Sequence, residues 1–307
     1  MNEPIPSPAA SGSMSSSLPV ASPSSAAALA HAPLGRVVSM PDRLDAGLLF
    51  PLPRAPQRQS LGLGATPPFV GADLWCAYEL SWLNARGKPQ VAIAEIIVPC
   101  DSPNLVESKS LKLYLNGFAN ECFADAQAVR ERIRADLSRA LWQGGAEACG
   151  TAGVRLRTVG DFADLRFGEL EGLSLDRLDI DCEAFEPDAG LLRSDEQAGA
   201  VEEVLVSDLL RSLCPVTGQP DWGSVRIAYR GAPIDQEGLL RYLVGFRNHS
   251  GFHEHCVERI FTDLWRRCRP DRLSVLARYT RRGGIDISPW RTSHPQVMPP
   301  FVRTARQ

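Results

Sequence analysis

Apolar positions in the second half of the chain change from a strand-like to a helix-like pattern and back. Residues 202–210 and 224–230 are strand-like, with Val225, Ile227 and Tyr229 on one face of the second strand. Two amphipathic helices are predicted next, the first beginning near Asp235 after Pro233. Their apolar positions are Leu239, Leu240, Leu243 and Val244, then Val257, Ile260, Phe261 and Leu264. An alternating strand at 273–279, a Gly-Gly turn and a short strand at 285–287 complete a ββααββ unit.

This unit occurs twice. The segment LKLYLNGF (111–118) matches LLRYLVGF (239–246), and ERIRADL (131–137) matches ERIFTDL (258–264). VAIA at 91–94 also resembles VRIA at 225–228, so three matches keep the same order and nearly the same offset. The repeat predicts an α+β fold of two modules, each an antiparallel sheet with two helices on one face.

The N-terminal region differs from both copies. It is rich in Ser, Ala and Pro, and has too few large apolar groups to offset the entropy of ordering the chain. We therefore divide the chain into a largely disordered tail and linker at 1–58, a first module at 59–195 and a second module at 196–307. Within the tail, the short apolar run Leu48-Leu49-Phe50 is a candidate to dock onto the folded body.

Composition limits the classes of function. The net charge of −3 argues weakly against direct nucleic-acid binding, and there is no run of about 20 apolar residues that would span a membrane. The first 30 residues contain no Lys or Arg, so they lack the positive region of a secretory signal. Eight scattered cysteines without a CxxC pair indicate reduced thiols, and hence a cytoplasmic protein.

The segment LCPVTGQPDWG (213–223) is the first candidate for chemistry. Its prolines and glycines predict a loop between two strands, where functional groups are often found. Cys214 is therefore either a nucleophile or an ordinary semi-buried thiol. Asp221 follows seven residues later and either serves the same site or caps the next strand.

Other candidates have equally simple structural explanations. His249, His253 and His255, beside Cys256, are a conceivable zinc set or solvated residues at a helix start. Glu107 and Glu254 each precede or open a predicted helix and could only stabilise its dipole. The fragment GLGA at 62–65 is followed by two prolines and is not a dinucleotide fingerprint, so a nicotinamide cofactor would bind without a Rossmann crossover.

Four motifs carry a resemblance to a known family. They are ESKSLKLY (107–114), LCPVTGQPDWGSV (213–225), FHEHCVERI (252–260) and ARYTRRGGIDISPWR (277–291). Together they resemble the NADPH-dependent 7-cyano-7-deazaguanine reductases of queuosine biosynthesis, a tRNA modification pathway, in their long two-module form. The resemblance runs from about residue 34 to the C-terminus. It implies tandem tunnelling-fold modules, in agreement with the repeat, and a homodimer.

The resemblance also implies residue roles. Cys214 would attack the nitrile to give a covalent thioimidate, and Asp221 would be the proton donor. The substrate would be held by five residues: Val106, Glu107, Ser108, His253 and Glu254. NADPH, two molecules per turnover, would contact Ser108, Lys109, Arg282 and Gly283, and no metal would be needed.

Two alternatives come from other classes. A zinc-dependent tunnelling-fold enzyme acting on a pterin precursor or GTP would use the histidine cluster, and elemental analysis for bound zinc distinguishes it. A non-catalytic purine-binding module would keep the pocket without chemistry. The presence of both Cys214 and Asp221 favours the reductase over this module.

The tail yields the first prediction. A chain that begins at Pro33 should consume NADPH with the deazaguanine nitrile at the full-length rate, because residues 1–33 lack apolar anchors. The measurement is the initial rate of NADPH absorbance loss at matched protein concentration. A large loss of activity or solubility would show that the tail is structural.

Overall fold

The computed structural model describes residues 43–144 and 150–307. The predicted mobile segment at 1–33 lies outside these residues. The described chain opens with a 3-10 turn at Ala46–Leu48, strand β1 (Pro51–Pro53) and helix α1 (Ala55–Ser60). The assignment of a disordered tail as far as residue 58 is therefore wrong for residues 43–58. Leu49 and Leu52 are buried there, and so are Arg54 and Arg58, whose charges give no hydrophobic signal in the sequence.

The first copy contains four strands and two helices. These are β2 (Val70–Leu83), β3 (Pro89–Pro99), β4 (Asn104–Val106), α2 (Ser108–Asn116), α3 (Ala126–Leu141) and β5 (Gly153–Thr158), with a 3-10 turn at Gly117–Asn120. Each helix start has a carboxylate cap. Glu107 accepts hydrogen bonds from the first-turn N–H groups of α2, and Asp125 accepts one from Ala128 at α3.

A connector leads to the second copy. It consists of 3-10 turns at Val159–Asp164, Leu175–Arg177 and Ala189–Leu191, with the two-residue strand β6 (Leu173–Ser174) among them. The second copy is β7 (Val201–Leu213), β8 (Pro220–Gly231), α4 (Gln236–Val244), α5 (His253–Arg267), β9 (Arg272–Tyr279) and β10 (Ile285–Thr292), with a 3-10 turn at Gly245–Asn248. This order matches the ββααββ unit predicted from its sequence.

The first copy departs from that prediction. After its helices it has one strand, β5, and not two, because the chain then forms the 3-10 turn at Val159–Asp164. Residues 159–172 lack the period-two apolar pattern that a further sheet strand would need. They lead instead to β6, which pairs in parallel with β7 of the second copy.

The assignment of residues 59–195 to the first module also differs from the structure. Leu175 and Leu192 of the connector, and Leu63 and Phe69 before β2, pack in the hydrophobic core of the second copy. Their contacts are long-range in sequence, so composition and periodicity did not reveal them.

Both copies contribute to one eight-stranded sheet. Its order is β5-β3-β2-β10-β9-β8-β7-β6, and β2 and β10 join the copies by antiparallel pairing. Trp75 pairs with Ile287, and Arg291 pairs with Val275, so all four lie on one face of the sheet. Since the first pair belongs to the first core and Val275 belongs to the second, both helix pairs cover the same face.

No helix within residues 43–144 and 150–307 is long and apolar enough to cross a membrane.

The pairing of β2 with β10, here named the β2–β10 joint, gives the second prediction. Gly71 of β2 has φ +146°, and a Cβ atom there would lie 2.1 Å from the Trp290 carbonyl oxygen of β10. Gly71→Ala should therefore lower the free energy of unfolding by roughly 2 kcal/mol or more. Chemical denaturation measures the change. Gly160→Ala is the control, because no atom lies within 4 Å of its Cβ position. Equal stability of the two variants would contradict this account of the joint.

Candidate active site

A cavity lies where the two copies meet. Its walls come from the β4–α2 junction, the loop after β7, the start of α5 and the turn before β10. The lining residues are Trp75, Leu105, Val106, Glu107, Ser108, Lys109, Lys112, Cys214, Pro215, Asp221, Phe252, His253, Glu254, Thr280, Arg282, Ile285 and Ile287. All nine of the predicted site residues other than Gly283 therefore line one cavity. Gly283 lies at its edge, next to Lys112.

Glu107 is placed by the start of α2. Its carboxylate accepts the backbone N–H groups of Lys109 at 2.6 Å and Ser110 at 2.8 Å, so the capping role expected from sequence is present. The side chain is also fully buried and lines the cavity. Burial raises the pKa of Glu107, and the two N–H donors partly oppose that rise. A carboxylate has further lone pairs, so capping leaves it able to accept hydrogen bonds from a ligand.

Glu254 occupies the corresponding position in the second copy, in the first turn of α5. It is 3% exposed. Burial, and then the negative charge of Asp73, raise its pKa to about 7. Glu254 therefore changes its charge near neutral pH, in contrast to an ordinary glutamate. The two carboxylates, one from each copy, face the same cavity.

Cys214 and Asp221 are brought together by a hairpin. The Cys214 N–H donates to the Gln219 carbonyl at 2.9 Å, and the Gly218 N–H donates back to the Cys214 carbonyl at 3.0 Å. Gly218 has φ +65°, which suits a tight turn at this position. Asp221 then pairs with Ser212 across β7 and β8. Both Cys214 and Asp221 are 5% exposed, so the predicted loop holds them in a nearly dry site.

Asp221 lies between two cationic or potentially cationic groups. Arg282 Nη1 donates to its Oδ1 at 2.7 Å, and His253 Nε2 lies 3.3 Å from its Oδ2. Burial raises the pKa of Asp221, but His253 and Arg282 together outweigh burial and bring the pKa below its usual value. The His253 ring stacks on Tyr279 at 3.8 Å between centroids, which fixes its orientation. The carboxylate is thus ionised at neutral pH, with a proton-carrying partner in contact.

The turn before β10 adds a basic wall. Gly283 has φ +60°, and a Cβ atom there would lie 2.6 Å from the Lys112 Nζ. Lys109, Lys112 and Arg282 all line this side of the cavity. Three cationic side chains beside a glycine turn fit a phosphorylated cofactor such as NADPH.

Sequence reasoning missed several lining residues. Lys112 was not among the predicted site residues, although it lies one helical turn after Ser108 and so shares its face of α2. Trp75, from strand β2, carries no local signal of a role in the cavity. Only the pairing of β2 with β10 places it there.

The three histidines of the candidate zinc set lie in different surroundings. Within the described ranges, no group of three or more His, Cys, Asp or Glu side chains is arranged to hold a metal ion. Burial lowers the pKa of His249 to about 3, with Arg259 adding to the effect. His253 instead faces Asp221, and His249 and His255 lie 6.3 Å apart between ring centroids.

The cavity brings together, from two modules, a thiol, the carboxylate of Asp221 and a glutamate from each copy. Comparison with known proteins shows the family. The family described as nitrile reductase, 7-cyano-7-deazaguanine-reductase N-term matches residues 40–145, and the family described as QueF-like protein matches residues 220–297. Similar relatives carry the name NADPH-dependent 7-cyano-7-deazaguanine reductase. The relative from Verminephrobacter eiseniae is 62% identical over 275 residues, 90% of this chain and 98% of the relative.

Two further relatives carry the same name. The protein from Polaromonas naphthalenivorans is 59% identical over 277 residues, and that from Burkholderia mallei is 57% identical over 278 residues. Each alignment covers 90% of this chain and 98% of the relative. The chain belongs to the 7-cyano-7-deazaguanine reductase family, a family of oxidoreductases, as the four motifs indicated.

The electrostatics of Glu254 give the third prediction. A carboxylate with a pKa near 7 is lost as pH falls through that value, so affinity for the nitrile should fall from pH 8 to pH 6. Glu254→Gln should weaken nitrile binding about tenfold or more and remove this pH dependence, because an amide has one acceptor oxygen in place of two and does not titrate. Glu107→Gln should weaken nitrile binding similarly.

Calorimetric titration with the nitrile at several pH values measures both effects, and titration with NADPH is the control. Equal weakening of nitrile and NADPH binding, or an unchanged pH profile in Glu254→Gln, would argue for a folding role.

Proposed function

We propose that this chain performs the reaction of its family, the NADPH-dependent reduction of 7-cyano-7-deazaguanine to 7-aminomethyl-7-deazaguanine, through a covalent adduct on Cys214. The family assignment supports the reaction, the cofactor and the place in queuosine biosynthesis. The observation that carries the mechanism is the meeting of Cys214 and Asp221 with a carboxylate from each copy in one cavity.

The first step adds the thiol to the nitrile. A bond forms between Cys214 Sγ and the nitrile carbon, one π bond of the C≡N group breaks, and the thiol proton is transferred to the nitrile nitrogen. The product is a thioimidate whose C=N bond accepts hydride more readily than a nitrile. When bound, NADPH supplies two hydrides, one from each of two molecules. Hydride at the thioimidate carbon and a proton at its nitrogen would give a tetrahedral adduct. Its C–S bond then breaks, Cys214 leaves as a thiolate, and the protonated imine that remains takes the second hydride to give the primary amine. A further proton restores the thiol.

Asp221 and His253 move the proton. Asp221 is ionised in the free enzyme, so it accepts the thiol proton before passing it to the nitrile nitrogen. Contact with His253 Nε2 keeps the carboxylate oriented and supplies a second proton carrier for the later steps. Stacking on Tyr279 holds the imidazole in place during these transfers.

Glu107 and Glu254 recognise the guanine-like edge of the substrate. That edge presents a ring N–H and an exocyclic amino group, which a carboxylate accepts in bidentate fashion. Val106, Ser108 and His253, which line the same cavity, would complete substrate binding. Ser108, Lys109, Arg282 and Gly283, joined by Lys112, would hold the phosphates of NADPH.

The remaining assignments are also proposals. The repeat and the shared sheet face support tandem tunnelling-fold modules. A homodimer, a cytoplasmic location and no direct contact with nucleic acid are supported by the family resemblance, by the lack of a disulfide pattern and by the net charge of −3. The family assignment favours the reductase over the zinc-dependent pterin enzyme.

The fourth prediction concerns Cys214 and Asp221 as a pair. Incubated with nitrile and no NADPH, the wild-type protein should gain the mass of one substrate molecule, whereas Cys214→Ala should gain none and show no turnover. Asp221→Asn should bind the nitrile but form the adduct about a hundredfold more slowly, since positioned proton transfer contributes roughly that much. Intact-protein mass spectrometry over time measures both variants.

Cys256→Ala is the matched control, because this buried thiol does not line the cavity. An adduct on Cys214→Ala, or wild-type kinetics in Asp221→Asn, would remove the mechanism.

A further inference from the structure

The segment from Phe50 to Arg58, here named the strap, touches the Glu107 side of the site. β1 pairs with β4, with Pro51 opposite Val106. The Glu107 N–H donates to the Phe50 carbonyl at 2.9 Å, and the Phe50 N–H donates to Ser110 Oγ at 3.0 Å. The backbone that carries the first substrate carboxylate is therefore hydrogen-bonded to the strap.

The other end of the strap holds the helix that carries Glu254. Arg58 donates from Nε to Glu258 Oε2 at 3.0 Å and from Nη2 to Glu258 Oε1 at 2.7 Å. Glu258 lies in α5 one turn after Glu254. A bidentate pair of this kind fixes direction as well as distance. The strap thus connects the two substrate carboxylates, which belong to different copies.

The pair is part of a larger buried network. Arg291 of β10 donates to Glu258 Oε1 at 2.8 Å and to Asp73 Oδ1 at 2.8 Å. Arg54 donates to the other oxygen of Asp73 at 2.6 Å. All five residues are at most 9% exposed. The network therefore ties the strap to both strands of the β2–β10 joint.

The charges of the network are unequal. Three guanidinium groups, from Arg54, Arg58 and Arg291, face two carboxylates, from Asp73 and Glu258. Two members of the network act on Glu254 in opposite directions: Asp73 raises its pKa, and Arg54 lowers it by a smaller amount. Buried ion pairs seldom add stability over well-packed apolar residues, so a role in holding geometry explains this network better.

We propose that the strap is a positioning device, and that Arg58, through Glu258, sets the separation of Glu107 and Glu254 to match the deazaguanine edge. This inference rests on the proposed role of those two carboxylates. Arg58 does not line the cavity, so it acts through α5 and not on the substrate.

Arg58→Met is the informative variant. Glu258 keeps its hydrogen bonds from Arg291, and the remaining two cations match the two carboxylates, so no buried charge is left alone. The KM for the nitrile should rise about tenfold to a hundredfold, as expected for a misplaced binding group. The kcat and the KM for NADPH should change less than about threefold, because Arg58 does not contact the nucleophile or the basic wall, and His253 keeps its own contacts with Asp221 and Tyr279. Arg58→Lys keeps the positive charge but cannot form the bidentate pair with Glu258. Its KM for the nitrile should therefore lie between those of the wild type and Arg58→Met.

Arg259→Met is the matched control on the same helix. Arg259 pairs with Asp263 and donates to the Pro187 carbonyl at 3.0 Å, away from the strap. It should lower Tm without raising the KM for the nitrile. The proposal is overturned if Arg58→Met leaves that KM unchanged, or if its kcat and both KM values worsen together in step with Tm. Should Arg58→Met be insoluble, Arg58→Lys is judged by the same criteria. A wild-type protein that consumes no NADPH with the nitrile would refute the proposed function, whereas an active wild type with an unaffected Arg58→Met refutes only the strap.

Discussion

The antiparallel pairing of β2 with β10 is the constraint on which the rest of the structure depends. It runs from Ile285 opposite Ala77 to Thr292 opposite Val70, and it makes one sheet of two copies. Because paired residues share a face, the pairing places both helix pairs on the same side of that sheet. The starts of α2 and α5 then face one cavity, with Trp75 and Ile287 of the joint among its walls. A single module has half of this site, and the pairing completes it.

The candidate site contains two buried carboxylates whose surroundings differ. Asp221 and Glu254 are both nearly inaccessible to water, yet their pKa values move in opposite directions. Asp221 has Arg282 and His253 in contact, which favour its charged form, whereas burial and Asp73 disfavour the charged form of Glu254. The same kind of side chain thus favours its charged form in one place and its neutral form in another, which is the basis of the two roles that we propose for these residues. The charges beside each carboxylate, and not burial alone, determine whether its pKa is lowered or raised.

Much of the fold and of the candidate site could be predicted from the sequence. The helical periodicity of Val257, Ile260, Phe261 and Leu264 predicted α5, and the prolines and glycines around Cys214 predicted the hairpin loop. The repeat predicted two copies of one unit. These features are local, or are repeated within a single chain, so the spacing of residues is enough to reveal them. The motifs then contained every proposed site residue except Val106, which directly precedes the first motif, because short segments carry each of them.

The contacts between segments that are distant in the chain became known only from the tertiary structure. Arg291 and Asp73 are 218 residues apart in the chain, and Arg58 and Glu258 are 200 apart, so no local pattern links them. Residues 43–58 looked like a tail because their buried anchors include arginines, which composition counts as polar. The first copy also lacks its last strand, since the chain leaves the sheet after β5 and returns to pair with β7. The sequence by itself determined the secondary-structure elements of the second copy and the chemistry of the motifs, because both depend on residues that are close together in the chain. The strap, the shared sheet and the pKa values of the carboxylates depend on which charges are buried together, and only the folded chain decides that.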